Sequence, residues 1–394
     1  MPFRFAVLGA GGLGCATAWD LANFGDATEI ILGDPDGARA KEAAARATKL
    51  AKGRKTKIKP AAIDLDRKGD LAKVLKGCDG VLSTLPPATH LAVAQAAIQA
   101  KAHYCDAGSN LEAAQAILKL AAAAKKAGVS LLPDCGLAPG LSSGLAMSAM
   151  AGLDFAREVE VLAGALPQNP AGPLDHASAY SVESLLPLYI ESAVVLRRGK
   201  IEKLAPLTEP EEVDIPGLGR LEARLTGGTR STCPYSFHTR LASYEHKTLR
   251  YPGHFEKMAA LLAMGFLNDK PVDVDGRRVA PRELFVALAQ KAWSHLDEKD
   301  LVVLRVCARG KRHGRVTEVS YTLVDRFEPS TGFSALERVT AAAASSALGL
   351  QVRGRLRAGA EPLELALPYR EYVPELRKRG LKIVESQRTL ASAT

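Results

Sequence analysis

Phe3-Arg4-Phe5-Ala6-Val7-Leu8-Gly9-Ala10-Gly11-Gly12-Leu13-Gly14 is the stretch that decides the fold. A short apolar run that stops at glycine reads as a buried parallel strand. Gly9, Gly11 and Gly14 then occupy the three positions of GxGxxG, and Ala16, Ala18, Trp19, Leu21 and Ala22 continue as a helix. Gly9 permits the tight turn, Gly11 lets the backbone approach a pyrophosphate, and Gly14 lets helix and strand pack closely. The helix N-terminus faces the phosphates. Gly12 and Leu13 belong to the same loop and are counted with the cofactor-binding set. A lone GxGxxG is weak evidence, but a strand before it and a helix after it make it specific for a dinucleotide.

Working outward, Glu29 to Gly33 forms a second strand that ends in Asp34, 20 residues beyond Gly14. An acid there accepts hydrogen bonds from the adenosine ribose hydroxyls and repels a 2′-phosphate, which favours NAD over NADP. Ile58 to Leu65 reads as a third strand, with Asp64 near the adenine edge. Gly80 to Leu85 reads as a fourth, closed by Pro86-Pro87; the backbone of Thr84, Leu85 and Pro86 is expected to pass the ribose or nicotinamide. Helices over 91–101 and 111–127 lead to strands at His103-Tyr104-Cys105-Asp106 and Val129 to Asp134. Six strands alternating with helices make a doubly wound α/β sheet, and ligands bind beyond its carboxyl ends, where Asp106 and Asp134 lie.

The texture changes after Cys135-Gly136-Leu137-Ala138-Pro139-Gly140-Leu141. Glu158 to Leu162, Ala193 to Leu196, Leu301 to Val306 and Arg315 to Val324 are short alternating runs of a mixed or antiparallel sheet. Thr331-Gly332-Phe333-Ser334-Ala335 then begins an Ala-rich helix that runs through about Leu348. The expected organisation is a Rossmann domain over 1–140, an α+β substrate and dimerisation domain over 141–330, and C-terminal helices over 331–394 that return to the first domain. The segment after Glu385 reads as a polar, loose tail.

Composition narrows the function classes. The 394 residues carry a net charge of +9, but the basic residues are spread out and lack interleaved aromatics, so nucleic-acid binding is not expected. No apolar run approaches the ~20 residues that span a bilayer. No signal-peptide pattern precedes the first strand, so a cytoplasmic protein is expected. The six cysteines are scattered without metal-ligand spacing, which argues against a zinc site or a disulfide framework. A homodimer is the default expectation.

Three further stretches carry a family resemblance. His103-Tyr104-Cys105-Asp106 with Pro133-Asp134-Cys135-Gly136-Leu137-Ala138-Pro139-Gly140-Leu141 is the first. Leu166-Pro167-Gln168 with Val194 to Lys200 is the second. Ser231-Thr232-Cys233-Pro234-Tyr235-Ser236-Phe237 with His246-Lys247-Thr248-Leu249-Arg250-Tyr251-Pro252-Gly253-His254 is the third. Together with the glycine loop they resemble the saccharopine dehydrogenase superfamily, most closely its lysine 6-dehydrogenase branch. Cys233, and the wording Cys105-Asp106-Ala107-Gly108-Ser109-Asn110, depart from that branch.

The resemblance implies NAD-dependent oxidation of the lysine ε-amine to 2-aminoadipate 6-semialdehyde, which cyclises to a piperideine carboxylate. Such chemistry needs a base for the ammonium, activated water for the imine, and a cation for the distant carboxylate. Arg250 is the candidate for the carboxylate, because a guanidinium fork matches it bidentately. Lys247 is either a second carboxylate contact or, if buried with a depressed pKa, the base. Asp106 and Asp134 are candidates for holding ammonium groups. His254 is a proton-transfer candidate, and Tyr180 and Tyr235 are candidates for hydroxyl contacts. Asp106, Lys247, Arg250 and His254 are expected to converge on one cleft. The competing readings are a reductive condensation of the saccharopine or carboxynorspermidine dehydrogenase type, and a non-catalytic dinucleotide sensor.

Overall fold

The computed structural model describes residues 2–67, 69–108, 110–172, 174–176, 182–227, 230–293 and 299–390. The strands are β1 (Phe3–Leu8), β2 (Ala27–Asp34), β3 (Lys57–Ala62), β4 (Gly80–Ser83), β5 (His103–Asp106), β6 (Ser130–Leu132), β7 (Phe155–Pro167), β8 (Ala193–Arg197), β9 (Lys200–Leu204), β10 (Glu211–Ile215), β11 (Gly219–Leu225), β12 (Ser243–Arg250), β13 (Val272–Val274), β14 (Arg277–Val279), β15 (Asp300–Arg312), β16 (Arg315–Arg326), β17 (Gly359–Ala360) and β18 (Ile383–Thr389).

The first sheet has seven parallel strands in the order β17-β6-β5-β4-β1-β2-β3. The order reverses between β1 and β4, and at such a switch point the loops after neighbouring strands splay apart to leave a crevice. The third strand ends at Ala62, short of the expected Leu65, because Asp64 turns the chain: its Oδ1 accepts from the amides of Asp66 and Arg67. β17 is a seventh strand, supplied by the end of the chain.

The second sheet is mixed and nine-stranded, with the path β10-β11-β12-β7-β15-β16-β18 and β8 and β9 branching from β12. β12 and β7 run parallel; the other pairs are antiparallel. β18 overturns the expectation of a loose tail after Glu385. The free edge of β16 offers a row of backbone partners, and Ser386 to Thr389 take them.

Alternation divides the second sheet into two faces. Val159, Val161, Val302, Leu304, Val306, Val319 and Leu323 share a core with helices Ser142–Ala151 and Ala335–Val352. Leu162, Leu166, Leu249, Leu301 and Val303 form a separate core on the opposite face. Helix Ala335–Val352 packs on helix Gly12–Phe24 and on β4 and β5. Its run Ala341-Ala342-Ala343-Ala344-Ser345-Ser346 is buried, since only small side chains permit that approach. Gln351 ties it down further, donating to the carbonyls of Tyr104 and Ser130 at 3.0 Å each. A capping box of Ser334 and Glu337 starts the helix, and Asp300, at the head of β15, accepts from the Ala335 and Leu336 amides. Each such cap contributes about 1 kcal/mol. Among the described residues no helix is long and apolar enough to cross a membrane.

Candidate active site

The glycine loop fits a dinucleotide. Gly9 has φ +101°, and a Cβ there would lie 2.5 Å from Thr84 Oγ1. Thr84 in turn donates to the Leu8 and Gly9 carbonyls, so the loop after β4 buttresses the turn. A Cβ on Gly14 would meet the Gly9 carbonyl oxygen at 1.8 Å, whereas one on Gly11 meets nothing within 4 Å. Gly14 therefore serves packing, and Gly11 leaves open space where a phosphate can come close. Gly12 differs from the expected pattern: its missing Cβ makes room for Glu337 Oε1, which would lie 1.7 Å away. Asp34 is buried; its Oδ2 accepts from the Ala10 amide at 2.7 Å and its Oδ1 from the Asp36 amide at 2.9 Å. Arg39 Nη1 stands 4.0 Å from the same carboxylate. Leu85 accepts a bond from His90, Pro86 precedes a single helical turn, and Leu13 packs partly into the core.

Asp106 and Asp134 do meet, at the carboxyl ends of β5 and β6. Asp106 Oδ1 accepts from the amides of Gly108 (2.9 Å) and Asp134 (3.1 Å), and its Oδ2 from the Tyr104 hydroxyl (2.9 Å). His90 Nε2 is 2.8 Å from the Leu85 carbonyl, which fixes a proton on that nitrogen and turns Nδ1 toward Asp106 Oδ1, 3.6 Å away. The Asp106 carboxylate thus organises the ends of both strands. Asp134 is the opposite case. It is buried, its backbone is left-handed at φ +60°, and Oδ2 has no hydrogen-bond partner. Burial raises its pKa well above the carboxylate range, and the charges of Asp106 and Glu364 add to the effect. Glu364 is itself buried, and accepts from Ser236 (2.6 Å) and Thr232 (3.1 Å) of the Ser231–Phe237 stretch. The thiol of Cys135 is buried, donates to the Leu132 carbonyl and has its pKa pushed far up by desolvation, so it is a packing group.

The second-domain candidates do not all converge with these. Even-numbered residues of β12 from Tyr244 to Arg250 face the shared core, whereas Lys247 and Leu249 face the opposite core. Lys247 Nζ lies 2.8 Å from Glu211 Oε2. Burial alone would lower its pKa, but the Glu211 bond and the charges of Glu245 and Glu160 outweigh burial and raise it. Lys247 is therefore a fixed ammonium in a charge ladder on the far side of the sheet, not a base with a depressed pKa. Arg250 is 4% exposed, donates from Nη1 to the Leu249 carbonyl, and has no hydrogen-bond partner for Nε. Among the described residues no carboxylate lies within 4.0 Å of its guanidinium. His254, the first residue of helix His254–Ala263, is fully buried, with Nδ1 2.8 Å from the Leu174 carbonyl and Nε2 2.9 Å from the Tyr189 hydroxyl. Burial, aided by the Arg250 charge, lowers its pKa to about 3. Both nitrogens are used, so His254 is a neutral structural ring with no lone pair or proton free for substrate. Tyr235 is half-buried on the short helix Cys233–Phe237, and Tyr180 lies outside the described residues.

A family model described as the saccharopine dehydrogenase NADP binding domain matches residues 5–132, and one described as the saccharopine dehydrogenase C-terminal domain matches residues 136–381. The chain belongs to the saccharopine dehydrogenase family. An apo saccharopine dehydrogenase (L-Glu forming) from Saccharomyces cerevisiae superposes with a TM-score of 0.79 at 19% identity, covering 98% of this chain and 100% of that chain. A homospermidine synthase from Legionella pneumophila, in complex with NAD, superposes with a TM-score of 0.67 at 13% identity, covering 100% of this chain and 93% of that chain. Both share the fold.

Within this saccharopine dehydrogenase fold, His90 and Glu364 reach the strand-end acids without any signal in the sequence analysis. His90 follows the Pro86-Pro87 turn, and only the rule that the loop after the fourth strand nears the cofactor hints at it. Glu364 arrives from the far end of the chain, and no local spacing reports such a contact.

Proposed function

We propose that this chain oxidises the ε-amine of L-lysine with NAD, giving 2-aminoadipate 6-semialdehyde, which cyclises to a piperideine carboxylate. The observation that carries this is a pair of buried groups with no counter-ion among the described residues: the Asp134 carboxyl, which burial keeps protonated until a cation enters beside it, and the Arg250 guanidinium. A buried charge without its counter-ion is strongly unfavourable, and a substrate that brings an ammonium and a carboxylate relieves both. An amino acid with a side-chain amine has those groups.

Gly9, Gly11, Gly14 and Asp34 would hold the dinucleotide, which would supply the hydride acceptor. A substrate ammonium beside Asp134 favours its ionised form, and the carboxylate then takes a proton from that ammonium. It keeps that proton away from the amine while the carbon–hydrogen bond breaks; once that proton has left to solvent, it accepts one from the water that adds to the iminium and returns it to the carbinolamine nitrogen, which departs as ammonia as the carbonyl forms. Asp106 positions Asp134 through the Asp134 amide. Arg250 orients the carboxylate end. A non-catalytic sensor has no use for an acid held buried and unpaired.

A second reading, reductive condensation of an amine with a carbonyl using NADP(H), has one specific support: Arg39 beside Asp34, where a 2′-phosphate would lie. NADH formation from L-lysine and NAD, followed at 340 nm with NADP and ornithine as controls, tests the first reading. Absence of a lysine-dependent signal rejects it and moves the assay to paired amine and carbonyl substrates with reduced dinucleotide. The expected homodimer is checked by light scattering on the purified chain.

A further inference from the structure

Arg250 is the last residue of β12, its charge is felt at the His176 and His254 rings, and four segments meet at those two rings. His176 lies in the segment that follows β7. His254 opens helix His254–Ala263, Tyr189 comes from helix Val182–Ile190, and Trp293 ends helix Pro281–Trp293. The His176 ring stands edge-on to His254, with centroids 5.5 Å apart, and edge-on to Trp293 at 5.1 Å. His254 has spent both nitrogens on Leu174 and Tyr189. His176 is 4% exposed, and neither of its ring nitrogens has a hydrogen-bond partner. Burial lowers its pKa well below the usual value, with the Arg250 charge adding to the effect, so the ring is neutral and carries one N–H. Glu222, directly across from Arg250 on β11, is the obvious counter-ion, but its Oε1 accepts from the Phe255 amide at 2.8 Å.

Two donors of different shape are thus buried in one cluster, joined through the His254 ring, with no hydrogen-bond partner among the described residues: the Nε–H of a guanidinium and the N–H of a neutral imidazole. Buried donors are ordinarily paired, and an orphan pair beside an uncompensated positive charge is a receptor for an anion. A carboxylate has two oxygens in one plane and satisfies both donors at once. We propose that Arg250 and His176 together form a carboxylate-binding subsite, with His176 donating to one oxygen of the group that Arg250 neutralises. This deepens the reading of Arg250 as the carboxylate-binding end and rests on it. It makes His176 a specificity residue, selecting amino acids over simple amines.

Trp293 supplies a readout that needs no turnover. The chain has two tryptophans, and W19F leaves Trp293 as the sole indole. The NAD-loaded W19F protein is titrated with L-norleucine, which has the carboxylate but no side-chain amine, and with pentylamine, which has the amine but no carboxylate. Norleucine is expected to give a saturable change in emission and pentylamine none. Adding H176F, which keeps the ring and its edge contacts but has no N–H, is expected to weaken norleucine at least about tenfold. H176Q, which keeps a donor, is expected to recover most of that loss. No saturable response to norleucine, or equal affinity in H176F and its parent, overturns the subsite. Should H176F not fold, the His176 ring resonance in the 13C-histidine-labelled parent decides: it shifts on saturation with norleucine if the bond forms, and a fixed resonance rejects it. Failure of lysine oxidation with a normal norleucine titration removes the lysine reading and leaves the subsite standing.

Discussion

Lys247 and Arg250 stand three residues apart on β12 and project from opposite faces of its sheet. An odd separation on a strand always does this, because side chains alternate with a period of two. One charge joins a ladder with Glu211, and the other is buried with no counter-ion among the described residues. K247M is therefore expected to change stability by about 1 kcal/mol or less, since Glu211 is partly exposed, and to leave the KM for the amino acid near its parent value. R250M is expected to raise that KM roughly 30-fold or more, the loss typical of a buried charge pair broken on one side. Steady-state kinetics on the two variants checks this. A large KM effect from K247M would put Lys247 back at the substrate.

How much of this was legible beforehand follows from the range of each interaction. The glycine loop, Asp34 and the alternation of the first six strands were readable because each is a local pattern. The motif around His246 to His254 is legible as a family resemblance, but that resemblance carries no strand register, so it does not separate the two faces of β12. Tyr244, His246, Thr248 and Arg250 in one register would have placed Lys247 on the other face. Glu364 and His176 had no local signal: each acquires meaning only from partners more than 70 residues away, as with Glu364 and Thr232 or His176 and His254. The pairing of β18 with β16 was hidden for the same reason, since a polar strand at a sheet edge is composed like a tail.

Burial of the Asp134 carboxyl carries a stability cost that pH reveals. Its pKa is raised in the folded protein, first by burial, then by Asp106 and Glu364. The native state therefore holds its proton through a pH range where the unfolded chain, ionising near about pH 4, has lost it. Asp134 adds to stability below that lower value and progressively loses the contribution as pH rises toward the folded value. D134N removes the ionisation. It is expected to melt like the parent near pH 4 and above it at pH 7 to 8, by about 1 kcal/mol or more. Its kcat is expected to fall by roughly 10²- to 10⁴-fold. Thermal melts across this range, with kinetics at one pH, test both. A lower melting temperature for D134N at pH 8 would mean that Asp134 is paired in solution.

Gly12 and Gly14 are both intolerant of a side chain, for different reasons. The Gly14 Cβ would strike the Gly9 carbonyl oxygen, a backbone atom that cannot turn aside. G14A is expected to abolish dinucleotide binding. The Gly12 Cβ would strike Glu337, whose carboxylate is held by the Ser334 amide at 3.0 Å. G12A is expected to cost about 1 kcal/mol, the value of the capping bond it breaks. That loss is reversible in principle: in the E337A background G12A should add little further, because the obstructing atoms are gone. A double-mutant cycle by thermal denaturation measures the coupling. Additive losses would show that Gly12 serves the phosphate rather than Glu337.

Cofactor choice rests on a contest between neighbours. An acid at Asp34 is expected to accept from the ribose hydroxyls and disfavour a 2′-phosphate, while Arg39, 59% exposed in its side chain and 4.0 Å away, would favour one. Asp34 is the better placed of the two. It is buried and fixed by the Ala10 and Asp36 amides, whereas Arg39 is exposed, shares its charge with Asp36, and is screened by water. The expected outcome is tighter binding of NADH than NADPH by about tenfold or more at physiological salt, narrowing as salt falls, because only the arginine term is long-ranged and exposed. R39A is expected to widen the preference by weakening NADPH alone. D34S is expected to weaken both, since the carboxylate also anchors the glycine loop, but NADH more than NADPH. Fluorescence titration of both reduced dinucleotides against the parent and the two variants reads these changes without any turnover. Equal affinities in the parent, or tighter NADPH, would shift the assignment from lysine oxidation toward reductive condensation.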